Sequence, residues 1–127
     1  MYNYESMKKH HDKIKPIRGR KTDVRPIGKR TKDSETIEMV GDVVACKLYR
    51  TEVVKYYPDG RIGVNIDGWC TQTTVKFIGE HSPFNACRRF NQTWIETYER
   101  NSENFSATYF FYNLRHALEI FRFSDYF

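Results

Sequence analysis

The chain has 127 residues, 16% aromatics and a formal net charge of +5. That length suits one small domain. No apolar run reaches the ~18 residues that cross a bilayer, and no apolar segment follows the basic N-terminal stretch, so neither a membrane span nor a secretory signal is expected.

The charge is unevenly placed. Residues 8–32 hold eleven Lys and Arg against two Asp, a net +9. Residues 36–127 hold ten basic and eleven acidic residues, a net −1. Residues 1–35 also have few branched aliphatics, with prolines at Pro16 and Pro26 and glycines at Gly19 and Gly28. Such a segment gains little from burial against the entropy of ordering it. It reads as a basic arm, extended or disordered. Pro16-Ile17 and Pro26-Ile27 each open a similar basic stretch, a weak echo with a period of ten. Blocks of like charge bind polyanions, and each neutralised phosphate releases a counterion. Arg18, Arg20, Lys21, Arg25, Lys29, Arg30 and Lys32 are the expected phosphate contacts. Contacts of this kind position a protein without reading sequence.

Residues 36–127 read as a single small α+β domain. Residues 36–40 form a first strand, ended by Gly41-Asp42. Residues 43–57 are rich in Val and Tyr and make one long or two short strands. Pro58-Asp59-Gly60 is a strong turn, and Ile62, Val64 and Ile66 alternate with Arg61, Gly63 and Asn65 behind it. That pattern predicts a hairpin over residues 53–66. Asp67-Gly68 makes another turn. Trp69, Thr71, Thr73 and Val75 share a face if the chain continues extended; alternatively Thr73 or Thr74 caps a short helix over residues 75–78.

Ser82-Pro83 predicts a helix start, with Phe84, Cys87 and Phe90 on its buried side. Strands are expected over residues 93–98 and 105–112, with a turn at 101–104 between them. Asn113 then caps a last helix carrying Leu114, Ala117, Leu118 and Phe121 at helical spacing. Strands, short helix, strands and helix in this order argue for α+β: a small antiparallel sheet with one or two short helices, preceded by the extended basic arm.

Catalytic and metal-binding patterns are weak. Three cysteines, Cys46, Cys70 and Cys87, make no Cys-x-x-Cys pair, and this usage fits a reducing cytoplasm. Cys46 and Cys87 lie in apolar patterns and read as buried small hydrophobes. His10, His11, His81 and His116 show no zinc spacing with them. Asp59 and Asp67 are explained by turns. The expectation is a non-enzymatic chain with no catalytic residues, no metal and no cofactor. The most unusual stretch is residues 68–74, Gly-Trp-Cys-Thr-Gln-Thr-Thr. Its ring and hydroxyls at Trp69, Thr71, Thr73 and Thr74 suit a nucleotide, a base or a partner surface, and they suit an edge strand equally well.

Thr51-Glu52-Val53-Val54, Asp59-Gly60-Arg61-Ile62 and the Gly-Trp-Cys-Thr-Gln-Thr-Thr stretch together resemble a group of small tailed-bacteriophage proteins. The shared pattern is Thr-x-Val-Val, Asp-Gly-x-Ile and Gly-Trp-x-Thr-x-Thr-Thr. The resemblance covers roughly residues 25–98. It implies a viral accessory protein in the host cell cytoplasm and brings no catalytic residues with it.

Three functions are then in play. The arm binds nucleic acid non-specifically through phosphates. Alternatively, the chain inhibits or sequesters a component of a host defence or a host enzyme through the Trp69–Thr74 surface. In the third, the arm threads a neighbouring subunit in the virion. The partners are nucleic acid or a host or viral protein, without a membrane, and an oligomer is compatible with each.

Overall fold

A computed structural model describes residues 3–15, 24–28, 34–67, 71–90, 92–100, 107–114 and 118–121. The composition of residues 1–35 argues for an extended chain. Residues Tyr4–Lys13 are instead a ten-residue helix, α1. Asn3 caps it, accepting from the Ser6 N–H at 2.8 Å while the Ser6 hydroxyl accepts from the Asn3 N–H at 3.0 Å. This reciprocal pair satisfies two donors that a helix start leaves open. Met7 and His11, one turn apart, are its buried side. Lys8, Lys9 and Lys13 stay exposed.

The remainder is built on hairpins. β1 (Arg25–Pro26), β2 (Glu35–Val40), β3 (Val43–Leu48), β4 (Thr51–Tyr56) and β5 (Arg61–Val64) run in spatial order. β9 (Leu118–Phe121) closes the far side of this six-stranded sheet, and every pairing in it is antiparallel. The turns explain the register. Val40 pairs with Val43 around Gly41, whose φ of 63° is the conformation a two-residue hairpin turn requires. At the next hairpin but one, Gly60 takes φ 97°, and Asp59 accepts from the Arg61 N–H at 3.0 Å. The expected hairpin over residues 53–66 is therefore β4 and β5. The expected strand or strands over residues 43–57 are two, β3 and β4.

α2 (Gln72–His81) follows β5, so this stretch is a helix, longer than the short one expected there. Next come β6 (Asn85–Arg89), β7 (Gln92–Arg100) and β8 (Ala107–Asn113), which form a three-stranded antiparallel sheet. Two expectations fail here. Ser82 ends α2 instead of starting a helix: its hydroxyl donates to the Ile78 carbonyl and accepts from the Phe84 N–H at 3.2 Å. Residues 85–89 are then strand, and Cys87, expected to be buried, is exposed. The second failure is the last helix. Residues 118–121 pair with β5, from Val64–Leu118 to Arg61–Phe121. Leu-Glu-Ile-Phe satisfies strand alternation as well as helical spacing, and an edge of β5 was there to be paired. The expected turn at residues 101–104 lies outside the described residues.

One face of the large sheet carries Ile37, Val44, Cys46, Val54, Tyr56, Ile62 and Val64, all at 1% exposure or less. α2 covers it with Phe77 and Ile78, α1 adds Met7, and Ile95 and Leu114 come from the small sheet and its end. Tyr56 is wholly buried, and its hydroxyl donates to the His81 carbonyl, fixing the end of α2 to β4. The opposite face is polar, with Lys47 and Glu38 paired at 3.0 Å. The α+β class with an antiparallel sheet is as expected. Among the described residues no helix is long and apolar enough to cross a membrane.

Candidate functional site

The turn between β3 and β4 has only two residues, Tyr49 and Arg50, because Leu48 pairs with Thr51. Tyr49 takes a left-handed φ of 56° without being glycine. Its N–H donates to the Ser34 carbonyl at 2.6 Å, which holds the turn against the start of β2. Within β4 the register shifts: Cys46 faces Val54 but Lys47 faces Glu52, so Val53 is an extra residue. A bulge of this kind bends the strand and redirects its side chains. The Val53 carbonyl accepts from the Asn65 N–H at 2.8 Å, tying the bulge to the chain beyond β5. Two residues on, Asp67 also takes a left-handed φ, 49°.

The first turn of α2 lies across from this corner. Thr71 is the helix cap, accepting from the Thr74 N–H at 3.3 Å. Its hydroxyl also lies 3.0 Å from that of Thr74, which is 2% exposed. Thr71 and Thr74 therefore serve the helix, while Thr73 points to solvent.

Between the hairpin turn and the helix start lies a cleft of about 950 Å³. Leu48, Val53 and Ile66, each 6% exposed or less, are its apolar floor. Tyr49, Arg50, Thr51, Asp67, Thr71 and Thr73 supply its polar rim, with Thr74 at depth. Among the described residues neither Arg50 nor Asp67 is ion-paired. The arrangement combines an apolar floor, a cation, a carboxylate, hydroxyls and the N–H groups of a helix start. Such mixed lining, with a few fixed polar groups, is what small-molecule sites use.

Of the surface expected from the sequence, Thr71, Thr73 and Thr74 come together here. Trp69 lies outside the described residues. Tyr49, Arg50 and Thr51 escape sequence reasoning, since a two-residue turn without Gly, Asn or Pro carries no turn signal. Of the seven arm residues, Arg18, Arg20, Lys21, Lys29, Arg30 and Lys32 lie outside the described residues. Arg25 is half-buried, and its guanidinium donates to the His11 carbonyl near the end of α1. It holds a helix C-terminus, where a cation is favoured. Among the described residues no group of three or more His, Cys, Asp or Glu is placed to hold a metal. Burial pushes the Cys46 thiol far above its ordinary range, which disfavours the reactive thiolate.

No known protein family, curated protein or solved structure matches the chain.

Proposed function

We propose that the chain is a non-enzymatic binding protein that sequesters a small polar ligand of the nucleotide class in the cleft between the β3–β4 turn and α2. The observation that carries this reading is the cleft itself, whose rim includes Arg50, Thr71 and Thr73 around an apolar floor. Arg50 and the N–H groups at the start of α2 attract a phosphate. Leu48, Val53 and Ile66 pack the less polar part of the ligand. A viral accessory protein that captured a host nucleotide in this way would deprive a host enzyme or defence of it. Native mass spectrometry of the purified chain, followed by calorimetric titration with mononucleotides, tests this reading. Arg50→Gln and Thr73→Val should each weaken binding by about ten-fold, as expected when one charge-assisted bond is lost. A chain that carries no ligand and takes up no mononucleotide would sink the reading.

The +9 of residues 8–32 favours a second reading, in which Arg18, Arg20, Lys21, Lys29, Arg30 and Lys32 bind nucleic-acid phosphates. Replacing those six by Gln tests it, and this replacement leaves the buried Met7 and Ile27 in place. The affinity for any oligonucleotide should fall and its salt dependence should flatten.

A further inference from the structure

Among the described residues three that are not glycine take a left-handed φ: Tyr49, Asp67 and Phe90. Two of them, Tyr49 and Asp67, line the cleft between the β3–β4 turn and α2. Backbone held in such conformations concentrates at ligand sites. Tyr49 is 70% exposed, and a bulky side chain at φ 56° is an outlier. Its part in the fold is played by the backbone, through the N–H that donates to the Ser34 carbonyl. Among the described residues its hydroxyl makes no hydrogen bond. Asp59 and Asp67 both stand in turns, yet their carboxylates differ. That of Asp59 accepts from the Arg61 N–H at 3.0 Å and so shapes its turn. At Asp67 the same work falls to Asn65, whose side-chain oxygen accepts from the Asp67 N–H at 2.9 Å. Asp67 is exposed, and among the described residues its carboxylate is neither hydrogen-bonded nor ion-paired. An ionised carboxylate only accepts hydrogen bonds, and it repels a phosphate. In a cleft that takes an anion it is a liability unless the ligand also brings donors to it.

We propose that the cleft selects ribonucleotides, with Asp67 accepting from the two ribose hydroxyls and Tyr49 stacking on the base. This rests on the reading that the cleft holds a nucleotide, and it adds which nucleotide and by which side chains. A ribose offers two adjacent O–H donors, and a carboxylate has two oxygens to meet them. A deoxyribose lacks one of those donors, so part of the carboxylate is covered by the ligand and left unmet. Every base offers a flat ring face, which an exposed tyrosine can meet whatever the base is. Arg50 attracts the phosphate. Three side chains of the rim thus serve three chemically different parts of one ligand.

The test is calorimetric titration of the full chain with adenosine monophosphate and with its 2′-deoxy counterpart, beside a nuclear magnetic resonance titration with ribose 5-phosphate. The native chain should prefer the ribonucleotide by about ten-fold, the worth of one bond to a charged group. Asparagine suits left-handed backbone as aspartate does, so Asp67→Asn should fold. It should bring the two affinities together by weakening the ribonucleotide. Were Asp67 only a negative neighbour of the phosphate, the same change would tighten both nucleotides, and that result overturns the proposal. Tyr49→Asn should weaken adenosine monophosphate by about ten-fold and leave ribose 5-phosphate as it is, while Tyr49→Phe should bind as the native chain does. A Tyr49→Asn chain that binds the nucleotide as tightly as the native one, or loses nucleotide and sugar phosphate alike, also overturns it. Equal binding of ribonucleotide and deoxyribonucleotide by the native chain ends this inference and leaves the cleft reading standing. Binding of neither ends both.

Discussion

His81 lies in the last turn of α2, with its ring centroid 4.6 Å from that of Phe77. Burial lowers its pKa below the ordinary 6.5, against the pull of Glu80 and Glu35 and with some help from His10. The unfolded chain therefore takes up a proton at a higher pH than the folded chain. The stabilisation from neutral His81 is full above about pH 6.5 and is lost as pH falls through the folded value. Urea midpoints measured from about pH 7 down to pH 5 should fall less steeply for His81→Gln than for the native chain. Equal slopes would place the titration elsewhere. Individual residues of this kind are only partly legible in the sequence. Cys46, in an apolar run, reads as buried and is. Cys87 reads the same way, but its strand pairs at a sheet edge and leaves it exposed. Periodicity locates apolar residues, and the partner element decides which of them are covered.

Single elements depend on a few bonds at their ends. α2 is held at its start by Thr71, which serves both the Thr74 N–H and the Thr74 hydroxyl. Thr71→Ala should cost about 1 kcal/mol, the usual loss for a helix cap, while Thr71→Ser should cost much less. Urea denaturation measures both. A Thr71→Ala chain as stable as the native one would show that the cap is not used. The strands from β2 to β5 were legible because Gly41 and Pro58-Asp59-Gly60 mark their turns and Ile62, Val64 and Ile66 alternate. α1 was not. Its buried side is only Met7 and His11, and a histidine is not counted as apolar. The cap pair Asn3 and Ser6 also departs from the common Ser/Thr with Glu/Gln form. Ser82-Pro83 misled because a serine bonding back to Ile78 can end a helix as well as begin one. The cleft shows the same division. Its threonines stand in a conspicuous run, whereas Tyr49 and Arg50 reach it only through the pairing of β3 with β4.

At the scale of the molecule, the N-terminal segment belongs to the fold. Met7 and Ile27 lie in the same core cluster as Ile37 and Phe77. The His10 ring nitrogen and the Ile27 carbonyl are 2.8 Å apart, and Arg25 donates to the His11 carbonyl, so α1 and β1 are bonded to each other. Removing residues 1–28 should therefore cost on the order of 4 kcal/mol, from two large buried side chains alone. Little would remain of the ~5–15 kcal/mol that holds a domain together. Circular dichroism melting reads the result, and a truncated chain that melts like the full one would show that α1 and β1 do not support the core. Composition hid this arrangement. A net +9 spread over residues 8–32 signals solvent exposure on average, while among the described residues of the N-terminal segment five at scattered positions, Met7, His11, Val24, Pro26 and Ile27, are buried.

β1 is two residues long, and its second residue is Pro26, paired with Thr36. A proline has no N–H to offer an approaching strand. The margin of the six-stranded sheet at β2 is thus capped by a short segment that cannot template another chain. Hairpins with Val-rich strands invite self-association along an open flank, and here the first of the two flanks is shut by a single imino acid. The proline that shuts this flank lies within the same 25 residues that carry the excess positive charge.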